Sequence, residues 1–507
     1  MPHERVTSSL EWIDWLVIAV FLLFVAGLGR YFARQQRDTR DFYIGGGKMP
    51  WFAVALSVVA SLSSTAGYLG DPGEIIQHGI GMLVRLVALP VAIVFTVLWI
   101  VPAFRRANVV TAFQLLGQKY GRRTQLLGVS IWSYMQIAFL GFVLLLASRV
   151  IAQMIHVPHI WMIFTIGIVS VFFTSAGGMR SVVWTEAFLF SLLLLGALVT
   201  LGVVMAKTGS GPTTWWYEVA GRTHSLPPLA SWNLTERHTL LGSLMFGLIV
   251  TLCYNSSEQV IVQRYFTTRR ARTMMIANYV AGTTLSLLTA AVGAALLSFY
   301  LVNPSHLPAG VSSVMSSEFA DQAFPHFIAT ELPMGLRGLV IAALLGAAQS
   351  TLDSGVNSLA AVFSNDLWPV RRDGDSAATE LTRARWSTRL VGGGIIVMAI
   401  VADNLPGSNN IIDIAQRFVH LGLGPMGALF MIALSVRNTS STVAVASLLL
   451  GLGSAIFFAF SESLIGRPFI SPILIIPGSW LITLLAVALL RVFIKDSQPS
   501  DVPTTTA

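Results

Sequence analysis

The sequence predicts an all-α polytopic membrane protein with about 13 transmembrane helices. Hydrophobic residues make up 54% of the 507-residue chain and charged residues only 11%, whereas soluble domains carry about 25% charged residues. Apolar runs of about 20 residues, long enough to cross a bilayer as a helix, recur from end to end. Two of these runs carry polar residues at their centres, where hydrocarbon offers them no partner. We therefore expect a helical bundle that encloses a binding site.

The apolar runs leave no loop long enough for a globular enzyme domain. The N-terminal stretch MPHERVTSSLEWIDW lacks the pattern of a signal peptide, so we expect the first run to be retained as a helix. The single cysteine, Cys253, provides neither a disulfide framework nor a metal-site spacing. The predicted spans lie near residues 11–33, 50–78, 80–104, 124–154, 157–175, 181–206, 239–262, 273–303, 337–364, 388–402, 411–436, 441–461 and 471–494.

Lysine and arginine residues set the expected orientation. The basic loops are RYFARQQRDTRDFYIGGGK, FRRANVVTAFQLLGQKYGRR, GGMR, RYFTTRRARTM and VRRDGDSAATELTRARWSTR, together with the turn at Arg437 and the segment RVFIKD. An odd number of spans puts all of them on one side, which the positive-inside rule assigns to the cytoplasm. We expect the N-terminus outside and the C-terminus in the cytoplasm. The net charge of +8 then reflects these loops and indicates no nucleic acid partner.

Two spans are broken at corresponding places. The segments VVASLSSTAGYLGDPG (58–73) and VTLCYNSSEQ (250–259) put polar residues in mid-membrane. When the first helix is left out, they are the first and sixth helices of the remainder, and the spans between them reverse their relative direction. Paired broken helices in two inverted halves indicate an alternating-access transporter with its binding site at the breaks.

Four segments resemble the sodium:solute symporter family. They are DFYIGGGKMPWFAVALSVVAS, RSVVWTEAFLF, EQVIVQRYF and GLRGLVIAALLGAAQSTLDSGVNSLAAVFSND, in order between about residues 41 and 436. The resemblance implies a leucine-transporter-like core of two inverted five-helix repeats, with one helix before it and two after it. The expected divisions are an N-terminal helix and cytoplasmic loop (1–48), the first repeat (49–206), an external loop (207–238), the second repeat (239–436), two C-terminal helices (437–494) and a disordered cytoplasmic tail (495–507).

The run AALLGAAQSTLDSGVNSLAAVFSND (342–366) carries the most specific of these motifs. At helical spacing one face of it presents Ala347, Ser350, Thr351, Ser354, Asn357 and Ser358. Paired hydroxyls are half of a site for a monovalent cation, and a broken helix supplies carbonyl oxygens that an intact helix keeps bonded. The resemblance implies that a sodium ion is held by Ala60, Ser63, Ala347, Ser350 and Thr351.

Acidic residues within the predicted spans need a separate explanation. Glu186 lies early in the fifth core helix, and Asp353 precedes Ser354 in the eighth, where some family members use two serines for a second sodium ion. A carboxylate at membrane depth is costly and marks a functional site. Three interpretations are open for these residues: a second sodium site, a proton-carrying site, or a structural ion pair with a cytoplasmic arginine.

The solute is expected beside the two breaks, between helices 1, 2, 3, 6, 7 and 10 of the core. Tyr254 stands where sugar-transporting members of the family have a tyrosine, but Leu62 replaces their asparagine. Arg417 replaces their glutamine, and a buried guanidinium favours an anion, although a pair with Asp413 is the alternative. The predicted solute-binding residues are Ser61, Ser64, Thr65, Arg85, Tyr254 and Arg417.

These observations predict a sodium-coupled symporter of the plasma membrane, of the kind found in bacterial inner membranes, that imports a small organic solute, with an organic anion favoured. A sodium/sugar cotransporter and a proton-coupled symporter on the same fold are the alternatives. A receptor is disfavoured by the short tail, and a hydrolase by the absence of HExxH and GxSxG. The expected partners are the solute and the lipid bilayer, and no obligate protein partner is implied.

Overall fold

The computed structural model describes residues 10–494 except 37, 64, 108, 156, 225–226, 237–238, 369–375, 405–410 and 437–438, and the described part is helical without any strand. The helices are α1 (Trp12–Ala33), α2 (Thr39–Ile44), α3 (Trp51–Leu62), α4 (Thr65–His78), α5 (Val84–Val87), α6 (Leu89–Phe95), α7 (Val101–Ala107), α8 (Ala112–Tyr120), α9 (Arg122–Ile155), α10 (His159–Thr208), α11 (Pro212–Tyr217), α12 (Leu240–Ser257), α13 (Gln259–Thr267), α14 (Ala271–Val302), α15 (Ser317–Ala320), α16 (Ala323–Glu331), α17 (Leu336–Val362), α18 (Ala377–Asp403), α19 (Ile411–Ser435), α20 (Ser441–Ile465) and α21 (Ile475–Phe493).

Among the described residues, 10 helices are long and apolar enough to span a membrane, so the expected number of 13 is not confirmed. Two long helical stretches account for most of the difference. The stretch Gly67–Ala107 has 41 residues and α10 has 50, which at 1.5 Å per residue is about 60 and 75 Å, roughly twice the thickness of the hydrocarbon core. The helix α10 covers two of the spans expected from the sequence, and the stretch Gly67–Ala107 covers one span and the end of the preceding one, 50–78. In the expected span 411–436, the apolar helix found among the described residues, Leu421–Ser435, is too short to be counted. The expected tail, 495–507, lies outside the described residues.

Gly178 interrupts α10 between two of the predicted spans. Its φ of 54° lies in the left-handed region that glycine adopts without strain. A Cβ atom here would lie 2.8 Å from the backbone oxygen of Phe42, in the buried helix α2. Glycine therefore allows both the change of direction and the close approach of α2.

Both predicted breaks are confirmed. The helix α3 ends at Leu62, followed by the non-helical Ser63 (φ −88°, ψ 77°), and α4 begins at Thr65. The helix α12 ends at Ser257, and Glu258 has extended backbone angles (φ −79°, ψ 114°) before α13 begins. Each break leaves backbone carbonyls on one side and backbone N–H groups on the other without intrahelical partners.

The helix α17 lies at the centre of the bundle. In its most apolar stretch 89% of the residues are buried, against 28% for α1. Its neighbours include α1, α3, α9, α10 and α18. The polar residues of α17 consequently face other helices, which can supply hydrogen-bond partners, and not lipid.

Candidate cation and solute sites

Oxygen atoms of α3 and α17 meet beside the first break. Because α3 ends at Leu62, the carbonyl of Ala60 is among the last four that lack an intrahelical partner. The hydroxyl of Ser350 donates to this carbonyl at 2.9 Å and lies 3.0 Å from the carbonyl of Ala347. Thr351 Oγ1 donates to the same Ala347 carbonyl at 3.2 Å. Four of the five predicted sodium-binding residues therefore lie together, while the fifth, Ser63, is the residue at which α3 ends.

This oxygen cluster has the chemistry that a sodium ion requires. It combines uncharged carbonyl and hydroxyl oxygens from two helices, and Ala60, Ala347 and Ser350 are fully buried. A bond from a threonine hydroxyl to its own helix, such as that from Thr351 to Ala347, is ordinary. The contact between Ser350 and Ala60 is different because it joins two helices at a break. The residues present thus fit the ion.

A second cluster surrounds Glu186 and contains an ion pair. The carboxylate lies 3.2 Å from the guanidinium of Arg264, and both side chains are buried. It also accepts hydrogen bonds from Ser57, from Ser61 at 2.8 Å and from Ser354 at 2.5 Å. Arg264 donates to Ser354 as well. The structural ion pair, one of the three interpretations of this region, is therefore present, and it joins α3, α10, α13 and α17.

Asp353 lies next to this cluster with different partners. Its Oδ1 atom accepts hydrogen bonds from Ser170 and, at 3.1 Å, from Thr174, and its side chain is 1% exposed. Within the described part of the chain no basic side chain pairs with it. Asp353 and Glu186 together hold two carboxylates against the single guanidinium of Arg264. Because an uncompensated buried charge costs several kcal/mol, the charge balance accommodates one cation or one proton.

A cavity lies beside both breaks. One wall comes from α9, whose lining positions 132, 135, 136 and 139 follow helical spacing. Thr351 links this cavity to the oxygen cluster because it belongs to both. The lining residues are Ser61, Leu62, Trp132, Met135, Gln136, Phe139, Tyr254, Ser257, Glu258, Val260, Thr351, Gly422, Leu423 and Met426.

The structure brings only some of the predicted solute-binding residues to this cavity. Ser61 and Tyr254 line it. Thr65 is buried and donates to the carbonyl of Leu344 at 2.9 Å. Arg85 lies 3.7 Å from Asp71 in a partly exposed ion pair, and neither Thr65 nor Arg85 is among the lining residues.

Two further predictions fall on parts of the chain that are not described. Ser64 lies outside the described residues. Arg417 belongs to α19, but the description does not extend to its side chain. Both residues therefore stay predictions as solute contacts.

Sequence reasoning missed the acidic residue of the cavity and the arginine of the second cluster. Glu258 and Arg264 both belong to EQVIVQRYF, and neither was predicted to be a site residue, although Glu258 lies in the second broken segment and Arg264 in a basic loop. Trp132, Gln136 and Phe139 were missed as well, although their spacing in α9 marks one helical face. A search for charged residues beside a predicted break would have found Glu258.

The broken helices, the buried oxygen cluster and the adjoining cavity are the features of a multi-pass membrane transporter of small solutes. The sequence pattern of the sodium:solute symporter family matches residues 42–451. The chain belongs to this family and is a sodium-coupled solute symporter.

Similar proteins span most of the chain. A sodium/sialic acid symporter of Aliivibrio fischeri is 24% identical, covering 89% of this chain and 88% of its own length. A sodium/glucose cotransporter of Vibrio parahaemolyticus is 23% identical over 99% of this chain and 95% of its own. A sodium-coupled monocarboxylate transporter of Xenopus laevis is 25% identical over 90% and 74%.

A solved structure has the same fold. It is the substrate-bound, outward-open state of a sodium-coupled sialic acid symporter, with a TM-score of 0.81 and 22% sequence identity. The match covers 96% of this chain and 98% of the other. The leucine-transporter-like fold expected from the sequence is thereby confirmed.

Proposed function

We propose that this symporter imports a small organic anion by alternating access, driven by the inward sodium gradient across a bacterial inner membrane. The observation that carries the proposal is the contact between the hydroxyl of Ser350 in α17 and the carbonyl of Ala60 near the end of α3. Sodium is taken to bind Ala60, Ser63, Ala347, Ser350 and Thr351. The N-terminus is taken to lie outside and the C-terminus in the cytoplasm.

Coupling follows from the shared position of the two sites. A cation bound by Ala60 and Ser350 ties the end of α3 to α17 and fixes the wall of the cavity that Ser61 and Thr351 form. Each ligand then raises the affinity of the other by the same factor, as thermodynamic linkage requires. A membrane potential contributes about 2.3 kcal/mol per positive charge and per 100 mV.

A second cation or proton is assigned to Glu186, Asp353 and Ser354. The excess of carboxylates over guanidinium groups in this cluster supports that assignment. A proton-coupled symporter remains the alternative, because a proton balances the charge as well as a sodium ion does. Transport driven by a pH gradient without sodium would favour it.

An organic anion is preferred as solute for two reasons. Arg417 supplies a guanidinium in the core helix α19, whose residues Gly422, Leu423 and Met426 line the cavity. Sialic acid, named for two similar symporters, is itself an organic anion. The sodium/glucose relative supports a sugar as the alternative solute. Of the remaining predicted contacts, Ser61 and Tyr254 line the cavity, and Ser64, Thr65 and Arg85 stay proposals.

The test is solute uptake into proteoliposomes under an imposed sodium gradient or an imposed proton gradient. Carboxylates, amino acids and sugars would be compared. We expect sodium-dependent uptake of a carboxylate, and its loss in Arg417→Gln but not in Arg467→Gln, a matched change in the exposed loop after α20. Uptake of a sugar that is insensitive to Arg417→Gln would contradict the preference for an anion and leave sodium coupling standing.

A further inference from the structure

Among the described residues that line the cavity, Glu258 is the one that is charged. Its carboxylate has two neutral partners: the indole Nε1 of Trp132 at 3.2 Å and the backbone N–H of Val260 at 3.3 Å. No ion pair connects it to any described basic side chain. It thus differs from Glu186, whose charge is balanced by Arg264.

A structural role as a helix cap accounts for only part of this arrangement. Glu258 precedes α13, and its bond to Val260 satisfies one free N–H at the start of that helix. An uncharged serine or asparagine caps a helix as well as an acidic residue does. A carboxylate accepts about four hydrogen bonds, so the bonds from Trp132 and Val260 leave part of its capacity unused. Because Glu258 lines the cavity, its carboxylate can accept further hydrogen bonds from a ligand there.

Aromatic side chains surround the same space. Trp132, Phe139 and Tyr254 line the cavity together with Glu258. The faces of aromatic rings attract cations, most strongly when water is excluded. A carboxylate beside such rings binds ammonium groups and disfavours a simple anion at the same position. The cavity wall formed by these residues therefore favours a positively charged group, whereas Arg417 favours a negatively charged one.

We propose that Glu258, with Trp132, Phe139 and Tyr254, binds a positively charged nitrogen of the solute. The inference rests on the proposed function for the other end of the solute, where Arg417 takes a carboxylate. A solute that satisfies both ends is a zwitterion, such as an amino acid or a betaine, so the inference narrows the proposed solute from a simple organic anion to a carboxylate that also carries a positive nitrogen. Glu258 then determines specificity, because an anion of equal size without the nitrogen faces an unbalanced carboxylate.

The experiment uses pairs of solutes that differ in charge but little in shape. In glycine betaine and 3,3-dimethylbutanoate a quaternary nitrogen is exchanged for carbon, and in L-alanine and L-lactate an ammonium group for a hydroxyl. Binding of each to the purified full-length protein would be measured in sodium buffer, for the wild type and for Glu258→Gln. We expect the nitrogen-containing member of at least one pair to bind about 10- to 100-fold more tightly, and Glu258→Gln to remove that difference.

Two further variants separate charge recognition from folding. Glu258→Asp keeps the charge and is expected to retain part of the preference for nitrogen. Glu380→Gln, in the first turn of α18, makes the same chemical change away from the cavity and is expected to leave binding unchanged. Thermal unfolding of each purified variant serves as the measure of intact folding, and sodium binding without solute is measured separately.

The outcomes distinguish this inference from the proposed function. Equal binding of both members of each pair, no binding of either nitrogen compound, or an unchanged preference in Glu258→Gln would overturn the inference. A loss of sodium binding in Glu258→Gln without solute would also overturn it, since the carboxylate would then hold sodium. Sodium-independent uptake of every solute would refute the proposed function, whether or not the nitrogen preference is found.

Discussion

The two buried glutamates beside the broken helices are compensated in different ways. Glu186 lies against the guanidinium of Arg264 and the hydroxyls of Ser61 and Ser354. Glu258 lies in the cavity wall with an indole and a backbone N–H as partners. In the first region the protein supplies the opposite charge itself, whereas in the second it leaves that charge to be supplied by something else.

This difference indicates different roles for the two glutamates: Glu186 joins helices, and Glu258 is available to a ligand in the cavity. The pair of Glu186 and Arg264 joins α10 to α13. Glu258 forms no such pair among the described residues, and it lines the cavity beside the breaks. The presence of a buried carboxylate is therefore not informative by itself, and its partners decide its role.

Removing the guanidinium of Arg264 should leave Glu186 without an opposite charge, as Glu258 is. We expect this change to have the largest effect of the four. We expect Arg264→Met to lower the free energy of unfolding by about 3–5 kcal/mol, because it leaves a buried charge without its partner. Thermal unfolding of the purified protein measures this. The double variant with Glu186→Gln should recover much of the loss, whereas Glu258→Gln alone should change stability little. Unchanged stability of Arg264→Met would end the distinction between the two glutamates.

Removing the hydroxyl of Ser350 should weaken sodium binding and leave the ion pair of Glu186 and Arg264 intact. Ser350→Ala removes one oxygen of the cluster, and hydrogen bonds or contacts to a charged group are worth about 1.5–3 kcal/mol. We expect the sodium concentration for half-maximal transport to rise about 10- to 100-fold. Ser358→Ala is the matched control: its hydroxyl, also buried in α17, donates to Gln263 at 2.8 Å. Equal effects of the two variants would remove the reason to place sodium at Ser350.

Asp353 tests whether the excess charge near Glu186 is balanced by a transported cation. We expect Asp353→Asn to reduce the positive charge moved per solute by one, whether a sodium ion or a proton is carried. Reversal-potential measurements on proteoliposomes give this number, and its dependence on pH identifies the ion. The control is Asp14→Asn, since Asp14 is buried but accepts bonds from the N–H groups of Gly335 and Gly338 at the start of α17. An unchanged charge ratio would make Asp353 a structural residue.

The smallest effect is expected for Arg85→Gln. Arg85 lies 3.7 Å from Asp71 in a partly exposed pair, and such pairs contribute about 0–1 kcal/mol. Since Arg85 is not among the residues lining the cavity, we expect the solute affinity to change by less than about threefold. A tenfold loss would support the sequence-based prediction that Arg85 binds solute.

Hydropathy and polar interruptions predicted the helical fold and the two breaks, and the family resemblance indicated which residues of α3 and α17 would bring their oxygen atoms together. Those features depend on residues close together in the chain or on a motif with fixed spacing, such as Ala347, Ser350 and Thr351. The partner of Glu186 was expected only as some arginine, because the contact with Arg264 joins residues 78 positions apart. The number of spans was not confirmed, in part because Gly178 bends α10 without ending it. The role of Glu258 depends on which helices surround it, which local patterns do not contain.

The central claim, that sodium bound between α3 and α17 drives solute entry, is tested most directly by uptake of radioactive sodium into proteoliposomes. Uptake would be compared with and without solute, for the wild type, Ser350→Ala and Ser358→Ala. The account predicts that solute stimulates sodium uptake in the wild type and in Ser358→Ala, and that Ser350→Ala abolishes the stimulation at low sodium and regains it at high sodium. Solute-stimulated sodium uptake that is unchanged in Ser350→Ala would contradict the site, and solute uptake without any sodium flux would contradict the coupling.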